Sequence, residues 1–515
     1  MPRRPWLVPA VALALGLIAG PVALAAGPDD SAGVGPRSGL SPDRRDKARQ
    51  LIDKSVGYLR SQQDPGSGGW GVNPKGPTFT AITGLVLAGL MAPGEIGPDD
   101  PAAAAGEKFL LNYVQPDGGI YDRALPVYNT AISVSALARF SDPRAKDAVK
   151  NAAEFLKKLQ YGEGAVVLEG NRESAKPVPK ADSFYGGWGY GNRGRPDLSN
   201  TAFALEALHA AGVEPSDPAF QRALVFLQRV QMQEAAAGQK VNDMPYAAGS
   251  TQGGFIYATG VNMDRAGVGE SFAGETFESL SEGPGTQATI TLKSGSDGKP
   301  PTLTRDEIER RIREQFEQSS DPGIAGAKSL FVVALGPGSD GLAASQFVVR
   351  CAIEDSAKAE RCLGIAFANT PNGITIRVQK VASWKGVARL RAYGSMTYSG
   401  FKSYLYAGLS DRDPRVLAAQ RWISEHYTLA ENPGLGNDGM YYYFVVFARA
   451  LGALGQAEIR VEGDRRARWA DDLVDRLGEM QQPDGSFKSV DGRWMEDNST
   501  LITAYALIAL REATR

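Results

Sequence analysis

Six times along this chain of 515 residues an amphipathic helical pattern is paired with one that is apolar or small on almost every side. In Asp142 to Gln160, Ala145, Ala148, Val149, Ala152, Phe155, Leu156 and Leu159 recur at helical spacing, with Lys and Asp on the other face. The partner segment, Asn200 to Ala211, has almost no polar face, and such a helix must be covered all round. Outer-type segments are Asp46 to Gln63, Pro101 to Gln115, Asp142 to Gln160, Asp217 to Gln233, Asp413 to Leu429 and Arg465 to Gln482. Inner-type segments are Phe79 to Leu90, Asn129 to Phe140, Asn200 to Ala211, Met396 to Leu409, Met440 to Leu454 and Ser499 to Leu510. Thr80, Thr130, Thr201, Thr397 and Thr500 begin five inner segments, and Tyr441 takes that place in the other. A hydroxyl at a helix start can accept from free backbone N–H groups, so capping is the expected role. Inner helices forming a ring, covered by the outer ones, would bury the apolar ends that an open superhelix must cap. The ring is the expected architecture.

A turn recurs ahead of the inner helices. It reads Gln62-Gln63-Asp64 with Gly69-Trp70-Gly71, then Gln115-Pro116-Asp117-Gly118-Gly119, Gly186-Gly187-Trp188-Gly189-Tyr190, Gln252-Gly253-Gly254-Phe255, and Gln481-Gln482-Pro483-Asp484-Gly485-Ser486-Phe487. Gly and Asp suit a tight turn, Gln can bond carbonyls at a helix end, and the aromatic ring can pack over the turn. These segments resemble the QW repeats of the squalene cyclase and protein prenyltransferase superfamily. The resemblance implies an all-α (α/α)6 toroid, terpenoid cyclase-like, with a central cavity. Tyr393-Gly394-Ser395-Met396-Thr397-Tyr398, Asn432-Pro433-Gly434, Met440-Tyr441-Tyr442-Tyr443 and Arg493-Trp494-Met495-Glu496 resemble bacterial exported proteins with prenyltransferase/squalene oxidase repeats.

The chemistry of that superfamily does not follow automatically. Class II cyclases protonate their substrate with the central Asp of a DxDD motif, which this chain lacks. Zinc prenyltransferases need Cys, His and Asp on the toroid, and neither Cys351 nor Cys362 falls on a toroid segment. Asp471-Asp472-Leu473-Val474-Asp475 fits a DDxxD magnesium motif, but on an outer helix among Arg465, Arg466, Arg468 and Arg476 it reads as a charged face with local ion pairs. His209, in an Ala/Leu-rich helix, reads as packed. No cofactor or metal is expected.

In a ring, the starts of the inner helices converge at one rim. Tyr128, Asn129, Asn200, Tyr398, Tyr441, Tyr442 and Trp494 are therefore the candidate ligand-binding residues, and Asp438, Glu496 and Asp497 the weak catalytic candidates. Aromatic walls with a few polar groups suit an isoprenoid or a sugar. Caps and core packing explain the same residues without a ligand. The expected partner is an apolar or carbohydrate ligand, or an envelope protein. The alternative is an enzyme on the same ring, either a cyclase with a displaced acid or a polysaccharide lyase or hydrolase.

Arg3 and Arg4, the apolar run Leu7 to Ile18 and Ala23-Leu24-Ala25 read as a secretory signal over residues 1–25. A leader over 26–40 follows, and the expected location is periplasmic or extracellular, with no transmembrane span in the mature chain. Lysine plus arginine number 56 against 58 acidic residues, so nothing favours nucleic acid. The toroid is expected over 41–282 and 387–515. Between them, 283–386 alternates apolar and polar residues and reads as a small α+β module, with Cys351 and Cys362 paired in a disulfide.

Overall fold

In the computed structural model the chain divides into two units, Met1–Gly35 and Pro36–Arg515. The described residues are 39–73, 75–92, 95–166, 177–191, 195–244, 247, 249–259, 390–489 and 493–515. Within 260–389 they comprise strand backbones and a few residues around 302–314. The expected signal peptide and most of the leader lie outside them.

Six outer helices are α1 (Pro42–Ser61), α3 (Pro101–Leu111), α5 (Pro143–Lys158), α7 (Pro218–Val230), α9 (Pro414–Glu425) and α11 (Trp469–Met480). Six inner helices are α2 (Thr80–Leu90), α4 (Pro126–Leu137), α6 (Leu198–Ala210), α8 (Gly394–Tyr406), α10 (Met440–Leu454) and α12 (Ser499–Thr514). Four outer helices start on an Asp-Pro pair. Asp100, Asp142, Asp217 and Asp413 each accept a first-turn N–H, while the proline places its missing donor where none is needed. Every residue of α2 is buried, as an all-apolar helix requires. Inner helices pack in the order α2, α4, α6, α8, α10, α12, and α12 packs in turn on α2. The contacts thus return to their start. The fold is an all-α toroid.

The recurring turns join neighbouring repeats. Gln63 Nε2 donates to the Gly68 carbonyl of its own turn and to Ala102 of α3. Gln160 does the same with Gly186 and Ala219 of α7, and Gln231 with Gly253 and Arg415 of α9. Gln481 of the last turn reaches Leu51 of α1 at 2.8 Å. The indole N–H groups of Trp70 and Trp188 bond the Leu59 and Leu156 carbonyls.

The threonines have a different role from the expected one. Thr83, Thr130, Thr201, Thr397 and Thr503 accept from the backbone N–H of Trp70, Ile120, Trp188, Phe255 and Phe487, at 2.9–3.1 Å. They tie the turn to the inner helix instead of capping the helix. Thr80 and Thr500 lie one helical turn away from this position. At the fourth repeat the lock joins Phe255 to Thr397, across 260–389. Gln252 closes the same base by donating to the Leu390 carbonyl and accepting from Ala392 N–H.

In 260–389, strands β1 (Gln287–Thr291), β2 (Phe331–Leu335) and β3 (Gln346–Cys351) form a sheet ordered β1-β3-β2. Strands β4 (Cys362–Thr370) and β5 (Gly373–Val381) form an antiparallel hairpin. Cys351 ends β3 and Cys362 opens β4, but their side chains, and with them the expected disulfide, lie outside the described residues.

Candidate functional site

Side chains from opposite sides of a ring of helices can meet only along its axis. An aromatic layer does so. Tyr128 of α4 meets Phe203 of α6 edge-on at 5.5 Å, Phe203 lies 6.0 Å from Tyr442 of α10, and Tyr442 lies 6.2 Å from Tyr505 of α12. Tyr190 stands 6.2 Å from Tyr128. The Tyr442 hydroxyl lies 3.1 Å from Ser199 Oγ and 3.3 Å from Ser399 Oγ, and the hydroxyls of Tyr128 and Tyr505 bond each other. Tyr128 and Tyr442 remain only half-buried in this layer.

Toward the C-terminal ends of the inner helices, three residues past Phe203 on α6 and seven past Tyr442 on α10, a charged layer follows. Glu206 of α6 pairs with Lys402 of α8, and at 2.5 Å with Arg449 of α10. These three are 8%, 2% and 7% exposed. Burial alone would raise the Glu206 carboxyl, but Arg449 and Lys402 outweigh it and hold the group down at about 2. Burial pushes the Lys402 ammonium down, partly opposed by Glu206. Arg139, just past α4, and Glu512 of α12 act on the same cluster.

Above the aromatic layer, Asp197 caps α6. Its carboxylate accepts from Asn200 N–H at 2.8 Å and Asn200 Nδ2 at 2.7 Å. It is 3% exposed, and burial pushes its carboxyl up to about 7, against the bonds from Asn200 and Tyr257 and the charge of Arg195. A raised carboxyl pKa costs stability only where the unfolded chain would ionise. The cost is absent below the ordinary value of 3.8, grows with pH, and is complete above about 7. Asn can keep the cap, so Asp197→Asn is expected to match the parent at pH 4 and exceed it by ~2–4 kcal/mol at pH 8. Urea unfolding at both pH values checks this; an equal difference at both would contradict it.

Of the residues singled out by sequence, Tyr128 and Tyr442 line the axis. Asn200 holds Asp197, and Asn129 donates to the Ala124 carbonyl at 2.8 Å. Tyr398 packs between Tyr443 and Phe447, and Tyr441 donates to the Lys488 carbonyl beside Phe487. Trp494 is 45% exposed at the rim. Glu496 is buried and accepts from Tyr441 and Tyr442 N–H, so it caps α10. Asp438 is half-buried and Asp497 exposed.

The DDxxD acids bond separate partners: Asp471 the Ser41 N–H and Arg468, Asp472 the Tyr427 hydroxyl, Asp475 both Arg44 and Lys47. Their main ion pairs therefore cross to α1, not to the local arginines alone. His209, expected as packed, is exposed and stacks on Tyr406 at 4.4 Å. No metal-holding group of His, Cys, Asp or Glu occurs among the described residues.

Sequence reasoning missed Phe203, Tyr505, Asp197 and the charged layer. The signals existed. Glu206, Lys402 and Arg449 are lone charges inside near-apolar helices, which must be paired when covered all round. Asp197-Leu198-Ser199-Asn200 keeps the first acid of a DxDD pattern, with a hydroxyl and an amide in place of the other two.

Residues 75–241, which span α2 to α7, match the squalene-hopene cyclase C-terminal domain family. No curated protein matches the sequence. Among solved structures, the type II terpene cyclase MstE from Scytonema, as an aspartate-to-alanine variant with its product merosterolic acid A, aligns with 12% identity and a TM-score of 0.29. That alignment covers 92% of this chain and 99% of the other. An aspartate-to-asparagine variant of MstE with its substrate geranylgeranyl dihydroxybenzoate aligns at 12% identity and a TM-score of 0.28, over 92% and 99% of the two chains. No described helix is long and apolar enough to cross a membrane.

Proposed function

For a squalene cyclase-like chain with this axis, we propose binding of an extended apolar ligand of isoprenoid character at the aromatic layer, without DxDD-type cyclase chemistry. The observation that carries this is the pairing of hydroxyls within the layer. Ser199 and Ser399 each bond the Tyr442 hydroxyl, and Tyr128 and Tyr505 bond each other, so the aromatic faces offer an apolar surface with few vacant polar groups. A sugar would need those groups for itself. The signal-like start with Arg3, Arg4 and Leu7 to Ile18 supports export, so the ligand would be met in the envelope or beyond.

Asp197 favours a second reading, in which it acts as a displaced acid. Its environment argues against that for an alkene. A carboxyl raised to about 7 is a weaker acid than an ordinary one, and protonating a carbon–carbon double bond needs a stronger one.

Titration of the full chain with geranylgeraniol, with squalene and with a set of envelope oligosaccharides tests the proposal. Saturable binding of either isoprenoid, weakened about tenfold or more by Phe203→Ala, is expected, with the compound recovered unchanged. A new chromatographic product that vanishes in Asp197→Asn would overturn the binding reading in favour of catalysis. Response to oligosaccharides alone would overturn the ligand class.

A further inference from the structure

The charged layer holds more cation than its carboxylates neutralise. Glu206 serves Lys402 and Arg449 together. Glu512 is bridged by Arg515 at 3.0 Å. Arg139 has no carboxylate as hydrogen-bond partner among the described residues, and its Nη1 donates to the Met91 carbonyl at 3.2 Å. Lys402 of α8 and Arg449 of α10 thus share one carboxylate, and Arg139, just past α4, acts electrostatically on Arg449 beside them. Burial brings Arg139 down to about 10, helped by the like charges of Arg515 and Arg449 and opposed by Glu512 and Glu206. Arg449 acts electrostatically on both Glu206 and Tyr442, which links the two layers.

We propose that the ligand of the aromatic layer carries an anionic end, a carboxylate or a phosphate, that is held by Arg139, Arg449 and Lys402. This rests on the apolar-ligand reading and adds a polarity to it. The chain of the ligand lies among Tyr128, Phe203, Tyr442 and Tyr505, and its anion lies toward the C-terminal ends of the inner helices. Guanidinium groups suit either anion, because their fork of N–H donors matches paired oxygens. Lys402 adds a point charge within a largely dry surrounding, where screening by salt is weak.

The test compares three probes with one hydrocarbon chain: geranylgeranyl phosphate, geranylgeranoic acid and geranylgeraniol, each titrated against the full chain. Either anion, or both, is expected to bind at least tenfold more tightly than the alcohol, and the stronger of the two identifies the source of the charge. Arg139→Gln, at a half-exposed position, is expected to reduce that preference five- to tenfold. Because Arg449→Leu risks unfolding, Lys402→Met, which removes one cation and leaves Arg449 paired with Glu206, serves as the second variant, and it should also lower the preference. Binding of the alcohol with no anion preference overturns this inference alone. A preference that survives in both variants also overturns it. Failure of all three probes overturns the apolar-ligand reading and this one with it.

Discussion

Replacing Glu206 by glutamine is expected to destabilise the protein by roughly 3–5 kcal/mol, the range for removing one partner of a buried ion network. The carboxylate is the contact that Lys402 and Arg449 share, and both cations are more than nine-tenths buried. Glutamine keeps the shape and loses the charge, which leaves two cations facing each other in low dielectric. Adding Lys402→Met to the variant should recover part of the loss, since one uncompensated charge leaves with it. Chemical unfolding of the parent, the single variants and the double variant measures the coupling; additive single losses would contradict the network. The pH dependence has a definite sign. Glu206 is held down at about 2, below its ordinary 4.5, so its contribution is present above 4.5 and lost as pH falls through about 2. Glu206→Gln should therefore flatten the acid limb of the stability curve.

The second large effect is at a turn. Gly186 has φ +88, and a Cβ there would sit 1.9 Å from the Arg222 carbonyl oxygen of α7. Gly212 has φ +74 with nothing within 4 Å of a Cβ. Gly212→Ala isolates the conformational strain and should cost about 1 kcal/mol. Gly186→Ala adds a backbone collision that only separation of the turn from α7 can relieve, and should cost roughly 3 kcal/mol or more. Melting of the two variants side by side decides the matter, and similar losses would mean that the turn does not press on its neighbour. Gly253 and Gly485 meet the Ala418 and Lys54 carbonyls in the same way, so the effect should recur around the toroid.

Much of the fold can be read from the sequence because the helical periodicity is strong and punctuated. The Asp-Pro starts of α3, α5, α7 and α9 are local signals, and they locate those helices to within a few residues. The threonine register slipped in the two helices that carry threonines one turn apart, Thr80 and Thr83 in α2 and Thr500 and Thr503 in α12, while the spacing from the turn varies too much to choose between them. Trp70 and Thr83 are 13 residues apart, Ile120 and Thr130 10, and Phe487 and Thr503 16. Aligning first threonines therefore shifted two repeats by a turn. The axis was half visible. Tyr128 and Tyr442 follow from their rim position, and Glu496, a weak catalytic candidate that could equally be a cap, bonds the first turn of α10. Which of several buried aromatics face one another depends on helix rotation, and apolarity on every side erases the pattern that would reveal it.

The bond from Gln481 to α1, and the packing of α12 on α2, have a consequence for synthesis. A ribosome delivers this chain in order, so the first pair of helices emerges with one apolar flank bare. That flank stays uncovered until α11 and α12 are made. Repeats that could add one by one in an open array must here wait for α12 before the circuit closes. A chaperone that guards the nascent N-terminal half, and a premature stop shortly before residue 499, would thus act on the same bare surface.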